Sequence, residues 1–157
     1  MRERTTGCMT GTVARITNTI DIHASAQAVY AALRDLDAYP SWLGHSMVYR
    51  GTRVGTPQPT TSLVYEDSTM VGRMRGELVE DMPDHMLEFH QSKPSGTLDA
   101  LIRYTVDTTP AGTRLTRVGV MTTHGMLRVV QPMLLRMAAG ESERTIKALK
   151  AYTELTK

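Results

Sequence analysis

The chain has 157 residues, 41% of them hydrophobic, and its 18 Lys and Arg against 16 Asp and Glu leave a formal net charge of +2. That is one domain's worth of chain, able to bury about two-thirds of its unfolded surface, and its scattered basic residues make no case for binding nucleic acid or an anionic membrane surface. The single cysteine, Cys8, cannot form an internal disulfide; the opening MRERTTGCMTGT holds no apolar block of signal-peptide length, and no stretch approaches about 18 uninterrupted apolar residues. A soluble cytoplasmic protein that does not span a membrane is therefore expected, with residues 1–11 as a flexible tail and 12–157 as a single domain.

Residues 12–22 alternate, placing Ala14, Ile16, Ile20 and Ile22 on one parity, the period of a half-buried strand. Ser25 is a suitable N-cap for a helix in which Ala28, Val29, Ala32, Leu33 and Leu36 recur at helical spacing until Tyr39-Pro40 ends the pattern. Five strand-like stretches follow, near 46–54, 61–69, 72–81, 86–92 and 97–107, punctuated by glycine, proline and aspartate. A turn at Pro110-Ala111-Gly112 leads into a seventh strand at 112–123. From about Leu127 to Leu155 the period changes to three and four residues, which predicts one long amphipathic helix. Pro132 marks its entry, where a missing N–H is harmless, and Gly140 weakens its middle by about 1 kcal/mol relative to alanine.

The order strand, helix, six strands, long helix implies a segregated α+β fold, because no repeated helical crossovers are available to build a parallel sheet. The strands are expected to form an antiparallel meander whose inner face can be covered only by the C-terminal helix. Eleven methionines against one Phe and one Trp give the chain unusually adaptable apolar content. These methionines either fill the core or line a surface that adapts to a ligand.

Residues 20–43, IDIHASAQAVYAALRDLDAYPSWL, resemble the N-terminal signature of START/Bet v 1-like proteins, the polyketide cyclase/dehydrase and lipid-transport-like superfamily. GELVEDMPDHMLEF at 76–89 resembles its mid-domain strand–turn–strand, AGTRLTRV at 111–118 its last strand entry, and LKAYTE at 149–154 its closing helix. The resemblance implies a helix-grip fold: a seven-stranded curved antiparallel sheet wrapped around the long helix, with one or two short helices between the first two strands. It also implies a deep internal cavity for a hydrophobic small molecule. No cofactor is expected, and the chain is expected to be a monomer or weak homodimer.

On the fourth strand, hydrophobicity points Met74, Gly76 and Leu78 inward, whereas the register implied by the resemblance points Arg75, Glu77 and Val79 inward. The same register turns Leu115, Arg117, Gly119 and Met121 of the last strand toward the cavity. Under it, Arg75, Glu77 and Arg117 would place charge among Ile102, Tyr104, Met121, Met133 and Met137, with Trp42 near the mouth; unpaired buried charge is costly, so these groups would pair or hold a ligand. Glu141 falls on the apolar stripe of the long helix, either as a base or hydrogen-bond acceptor in the cavity or as a solvated edge residue. His124 lies in the turn before that helix.

The five histidines show no metal-ligand spacing, and no nucleophile elbow, phosphate loop or dinucleotide fingerprint occurs. Aromatase/cyclase members of the superfamily are expected to use a tyrosine after the short helix and an arginine on the fourth strand; Ser46 and Asp81 stand at those places here. The leading expectation is a binder of a hydrophobic or polyketide-like molecule for transport, sequestration or self-resistance. The alternatives are a cofactor-free cyclase, dehydratase or hydrolase using Arg75, Glu77 or Glu141, and a partner-binding regulator using Met74 and Leu78 on the outer sheet face.

Overall fold

The computed structural model describes residues 11–55 and 63–156; the expected tail lies largely outside them. The strands are β1 (Thr12–Ile22), β2 (Tyr49–Val54), β3 (Val64–Thr69), β4 (Gly72–Met82), β5 (Met86–Ser92), β6 (Leu98–Thr109) and β7 (Gly112–Thr123). The helices are α1 (Ala26–Arg34), the single turn α2 (Tyr39–Trp42) and α3 (Gln131–Leu155), with short 3-10 turns at Leu36–Ala38 and Gly125–Arg128. The sheet is antiparallel throughout, in the order β1-β7-β6-β5-β4-β3-β2, a meander to which β1 returns beside β7. With α3 held against it, this is the helix-grip architecture.

Local chemistry sets the boundaries. Ser25 caps α1, its hydroxyl accepting from the Ala28 N–H at 3.1 Å. Pro132 sits in the first turn of α3, whose regular helix starts at Gln131, four residues later than the periodicity predicts, after the 3-10 turn. At the β6–β7 hairpin, Gly112 has φ +148°, and an added Cβ would fall 2.3 Å from the Ile22 carbonyl oxygen. Glycine is required there.

Alternation along β1 holds as predicted: Ala14, Ile16, Ile20 and Ile22 are more buried than their neighbours. On β4 the hydrophobic register wins. Met74, Gly76 and Leu78 are buried, while Arg75 is exposed and Glu77 is half-buried in an outward row between Val64 and His90. The inward placement of Arg75 and Glu77 is therefore corrected. The same burial removes Met74 and Leu78, 4% and 3% exposed, from the outer face on which a docking role needed them. Between Leu78 and Glu80 the register with β5 shifts, a bulge at Val79 that changes the parity beyond it. Asp81 consequently meets α1, accepting from the Tyr30 hydroxyl and from Arg34 Nε at 2.9 Å.

Two apolar clusters pin α3 to the sheet. The larger joins Val29 and Leu33 of α1, Leu87, Val106 and Leu115 of the sheet, and Ile146 and Leu149 of α3. The smaller joins Met74, Leu98, Met121 and Leu134 near the start of α3. Between these anchor points α3 turns Ala138, Glu141 and Thr145 toward the sheet, side chains too short or too polar to fill the gap. A cavity remains.

Candidate functional site

The cavity between the sheet and α3 has a volume of about 230 Å³, room for roughly eight waters at their liquid volume. This is somewhat below the span of about 300–1,000 Å³ usual for drug-sized pockets, so the shape favours a small occupant. Ile16, Leu36, Met74, Leu98, Ile102 and Met121 supply apolar wall, and Tyr39, Tyr49, Tyr65, Phe89 and Tyr104 supply aromatic wall. A larger depression of about 530 Å³ lies beside α1, but exposed Gln27, Arg34, Asp35 and Asp37 border it as a surface groove outside the sheet–helix enclosure.

Three polar groups interrupt the apolar wall. The first is centred on Asp67 of β3, whose carboxylate accepts from Thr52 Oγ1 at 2.6 Å and from Gln91 Nε2 at 2.9 Å. Gln91 also donates to the Tyr65 hydroxyl at 2.8 Å, and the Tyr49 and Thr52 hydroxyls lie 2.6 Å apart. Burial raises the Asp67 pKa from the ordinary 3.8 to about 6, because the two hydrogen bonds only partly replace lost hydration. Burial also holds the Tyr39 and Tyr65 phenols protonated far beyond neutral pH.

The second group is Arg117 on β7. Its Nε donates to the Tyr104 hydroxyl at 3.1 Å, its guanidinium carbon lies 5.6 Å from the Tyr104 ring centroid, and its Nη1 donates to Ser142 Oγ at 2.8 Å. Ser142, fully buried on α3, passes the chain on to Asn18 Oδ1 at 2.5 Å. The third group is Glu141 on α3, which accepts from Ser46 Oγ at 2.5 Å and from Arg144 Nη2 at 3.0 Å. Arg144 also donates to the Gly44 carbonyl at 2.8 Å, and Ser46 Oγ accepts from the Val48 and Tyr49 N–H groups. This network ties the loop after α2 to the middle of α3.

The expected site residues divide cleanly. Ile102, Tyr104, Arg117, Met121 and Glu141 stand on the cavity wall. Arg75 and Glu77 do not, for the reason of register. Met133 is 54% exposed and Met137 is half-buried away from the cavity, because the row Leu134, Ala138, Glu141 and Thr145 takes the inward face and the two methionines lie one position before it. Trp42 also stays off the wall; its ring packs between Tyr39, centroids 4.7 Å apart, and Tyr152, 6.1 Å apart, joining α2 to α3. Of the methionines among the described residues only Met74 and Met121 line the cavity.

Asp67, Tyr65 and Gln91 were not singled out by sequence. The usable signal was the pairing of Tyr65 with Gly76: the ring lies over the glycine, whose Cβ would meet Tyr65 Cζ at 2.2 Å. That contact sets the inward parity of β3, and with it Asp67. Among the described residues, no group of three or more His, Cys, Asp or Glu side chains could hold a metal ion, and no helix is long and apolar enough to cross a membrane.

Comparison with solved structures places the fold among known relatives. The Zhui aromatase/cyclase from a Streptomyces species superposes with a TM-score of 0.74 at 14% identity, covering 91% of this chain and 94% of that one. A START superfamily protein from Mycobacterium smegmatis gives 0.67 at 15% identity, covering 91% and 99%. The di-domain aromatase/cyclase StfQ of the steffimycin biosynthetic pathway gives 0.73 at 16% identity, covering 92% of this chain and 51% of that one, so the chain spans about half of its length. At these identities the likeness is one of fold. No curated protein matches the chain in sequence. The family model described as polyketide cyclase / dehydrase and lipid transport matches residues 13–154, nearly the whole chain, and the protein belongs to that family.

Proposed function

We propose that this protein binds a small, mainly apolar molecule bearing hydrogen-bonding oxygens, polyketide-like or lipid-derived, and carries or sequesters it. The observation behind this reading is the cavity left beneath the middle of α3, apolar over most of its wall and equipped with Asp67, Gln91 and Arg117 to orient a ligand. Family membership supports it, because the family description joins ring-forming or dehydrating enzymes with lipid transport. A titration with the neutral fluorophore N-phenyl-1-naphthylamine tests it. The wild-type chain is expected to bind saturably with a Kd on the order of micromolar, and Ala138→Phe, which grows a ring into the cavity, is expected to weaken binding at least about tenfold. Equal affinity in the two proteins would place the fluorophore elsewhere and refute the reading.

A second reading, a cofactor-free cyclase or dehydratase, draws on one observation. Asp67 has a pKa of about 6 inside the cavity, so both its forms are populated near neutral pH, as a general acid or base requires. Glu141 is less suited to that role because Arg144 and Ser46 already hold its carboxylate. Conversion of a linear poly-β-ketone that is lost in Asp67→Asn with fluorophore affinity unchanged would favour catalysis; absence of turnover in the wild type would leave binding as the function.

A further inference from the structure

The charged groups on the cavity wall are unequally paired. Glu141 is paired with Arg144 and Ser46, and Asp67 is held by two neutral donors. Arg117, the cation on β7, is held by neutral groups only: the Tyr104 hydroxyl and Ser142 Oγ. Among the described residues no carboxylate lies within the 4.0 Å of an ion pair with it. Two of its five N–H donors are used, and the others have no acceptor among the described residues.

Its surroundings keep it that way. The strand partners of Arg117 are Asn18 and Tyr104, both uncharged, and Gly119 beside it leaves the wall open, since an added Cβ there would reach only ordinary contact with Nη1 at 3.5 Å. Ser142, anchored in turn on Asn18, holds the guanidinium from the α3 side. A guanidinium taken partly out of water without a counter-charge is unfavourable; an anionic oxygen offers it a charge-assisted hydrogen bond, and a carboxylate or sulfonate offers two parallel ones. Next to it the rings of Tyr104, Phe89 and Tyr65 form an arc of edge-to-face contacts, with centroids 6.2 and 5.8 Å apart. Such an arc accepts the face or edge of a flat conjugated ring system.

We infer that Arg117 is an anion subsite and that the ligand is a small aromatic or conjugated acid whose carboxylate, sulfonate, enolate or phenolate oxygen pairs with its guanidinium while the flat apolar part lies against the Tyr104–Phe89–Tyr65 arc. The inference rests on the cavity-binding reading above and sharpens it to one chemical class. Neither Asp67 nor Glu141 can take this role, because both present acceptors rather than a cation to the ligand.

A matched pair of fluorophores tests it, 8-anilinonaphthalene-1-sulfonate and its uncharged relative N-phenyl-1-naphthylamine, each titrated into the wild type, Arg117→Gln, Arg117→Lys and Ala138→Phe. Arg117→Gln is expected to raise the Kd of the sulfonate about tenfold or more and to leave that of the neutral compound within about twofold. Arg117→Lys, which keeps the charge, should recover most of the loss. Ala138→Phe should weaken both and so separate the cavity from the exposed Met126 and Val129. Equal weakening of both compounds in Arg117→Gln and Arg117→Lys would mean that Arg117 only props the cavity, and would overturn the inference. So would sulfonate binding that ignores Arg117 while the neutral compound remains sensitive to Ala138→Phe, a result that spares the binding reading. Failure of the wild type to bind either compound would overturn both.

Discussion

Replacing Asp67 by asparagine tests the electrostatics of the cavity in depth. Its carboxyl is raised from 3.8 to about 6 in the folded chain, so between those values the native state holds a proton that the unfolded state has released. Stability must then fall as pH rises through this window and level off above the native value. The shift corresponds to about 3 kcal/mol, an upper bound because Asp67 is only partly buried and solvent screens part of the charge. Asparagine is nearly isosteric, does not titrate, and can still accept from Thr52. Asp67→Asn is therefore expected to be equal to or slightly less stable than the wild type near pH 4 and more stable by about 1–3 kcal/mol at pH 8. Thermal unfolding followed by circular dichroism at a series of pH values reads this directly, since a domain of this size gains about 2–4 °C in Tm per kcal/mol. The difference between the two proteins isolates Asp67 from Asp21, Glu143 and Glu154, whose pKa values are lowered by hydrogen bonds from Arg114, Lys147 and the His23 N–H, respectively, and whose effect on stability runs the opposite way. Parallel curves for wild type and variant would refute the argument that the carboxyl is desolvated.

Gly76→Ala puts a methyl group where the Tyr65 ring lies, so β3 must shift; a loss of about 1–3 kcal/mol in urea unfolding is expected, together with weakened fluorophore binding. Ser46→Ala removes the donor to Glu141 and the acceptor for the Val48 and Tyr49 N–H groups. It should cost about 1–2 kcal/mol and speed hydrogen exchange at those two amides, with exchange in β6 and β7 unchanged.

Much of the fold was legible because its strongest signals are local. Ser25 caps α1 by a hydrogen bond that its side chain specifies, β1 alternates in composition, and Pro132 can stand only near a helix start. On β4 two readings competed, and the one based on transferring Met74 and Leu78 from water prevailed over the one borrowed from resemblance. The bulge at Val79 explains part of the conflict, since counting along the strand loses parity at that point and Asp81 ends on the face toward α1.

The cavity was harder to read. β3 carries polar residues on both faces, with Tyr65, Asp67 and Thr69 alternating against Glu66 and Ser68, so period alone leaves its inward side undefined. Asp67 becomes visible only once Tyr65 is seen to need the bare surface of Gly76 on the neighbouring strand. Arg117 was placed by the β7 register that the resemblance implies, but its lack of a carboxylate partner among the described residues depends on which side chains of β1, β6 and α3 surround it. Methionine content proved a poor guide: Met47, Met82, Met126 and Met133 are more than half exposed, whereas Met74 and Met121 line the cavity.

That division of methionines supplies the most direct test of the central claim, that ligands enter the space between the sheet and α3. With 13C-labelled methionine methyl groups, each signal assigned by substitution, a titration with N-phenyl-1-naphthylamine reports both environments in one spectrum. The account predicts that the Met74 and Met121 methyls shift saturably with the fluorophore while those of Met126 and Met133 stay in place. Shifts confined to Met126 and Met133 would contradict it, showing that binding occurs on the outside of the fold and that the cavity is not the site.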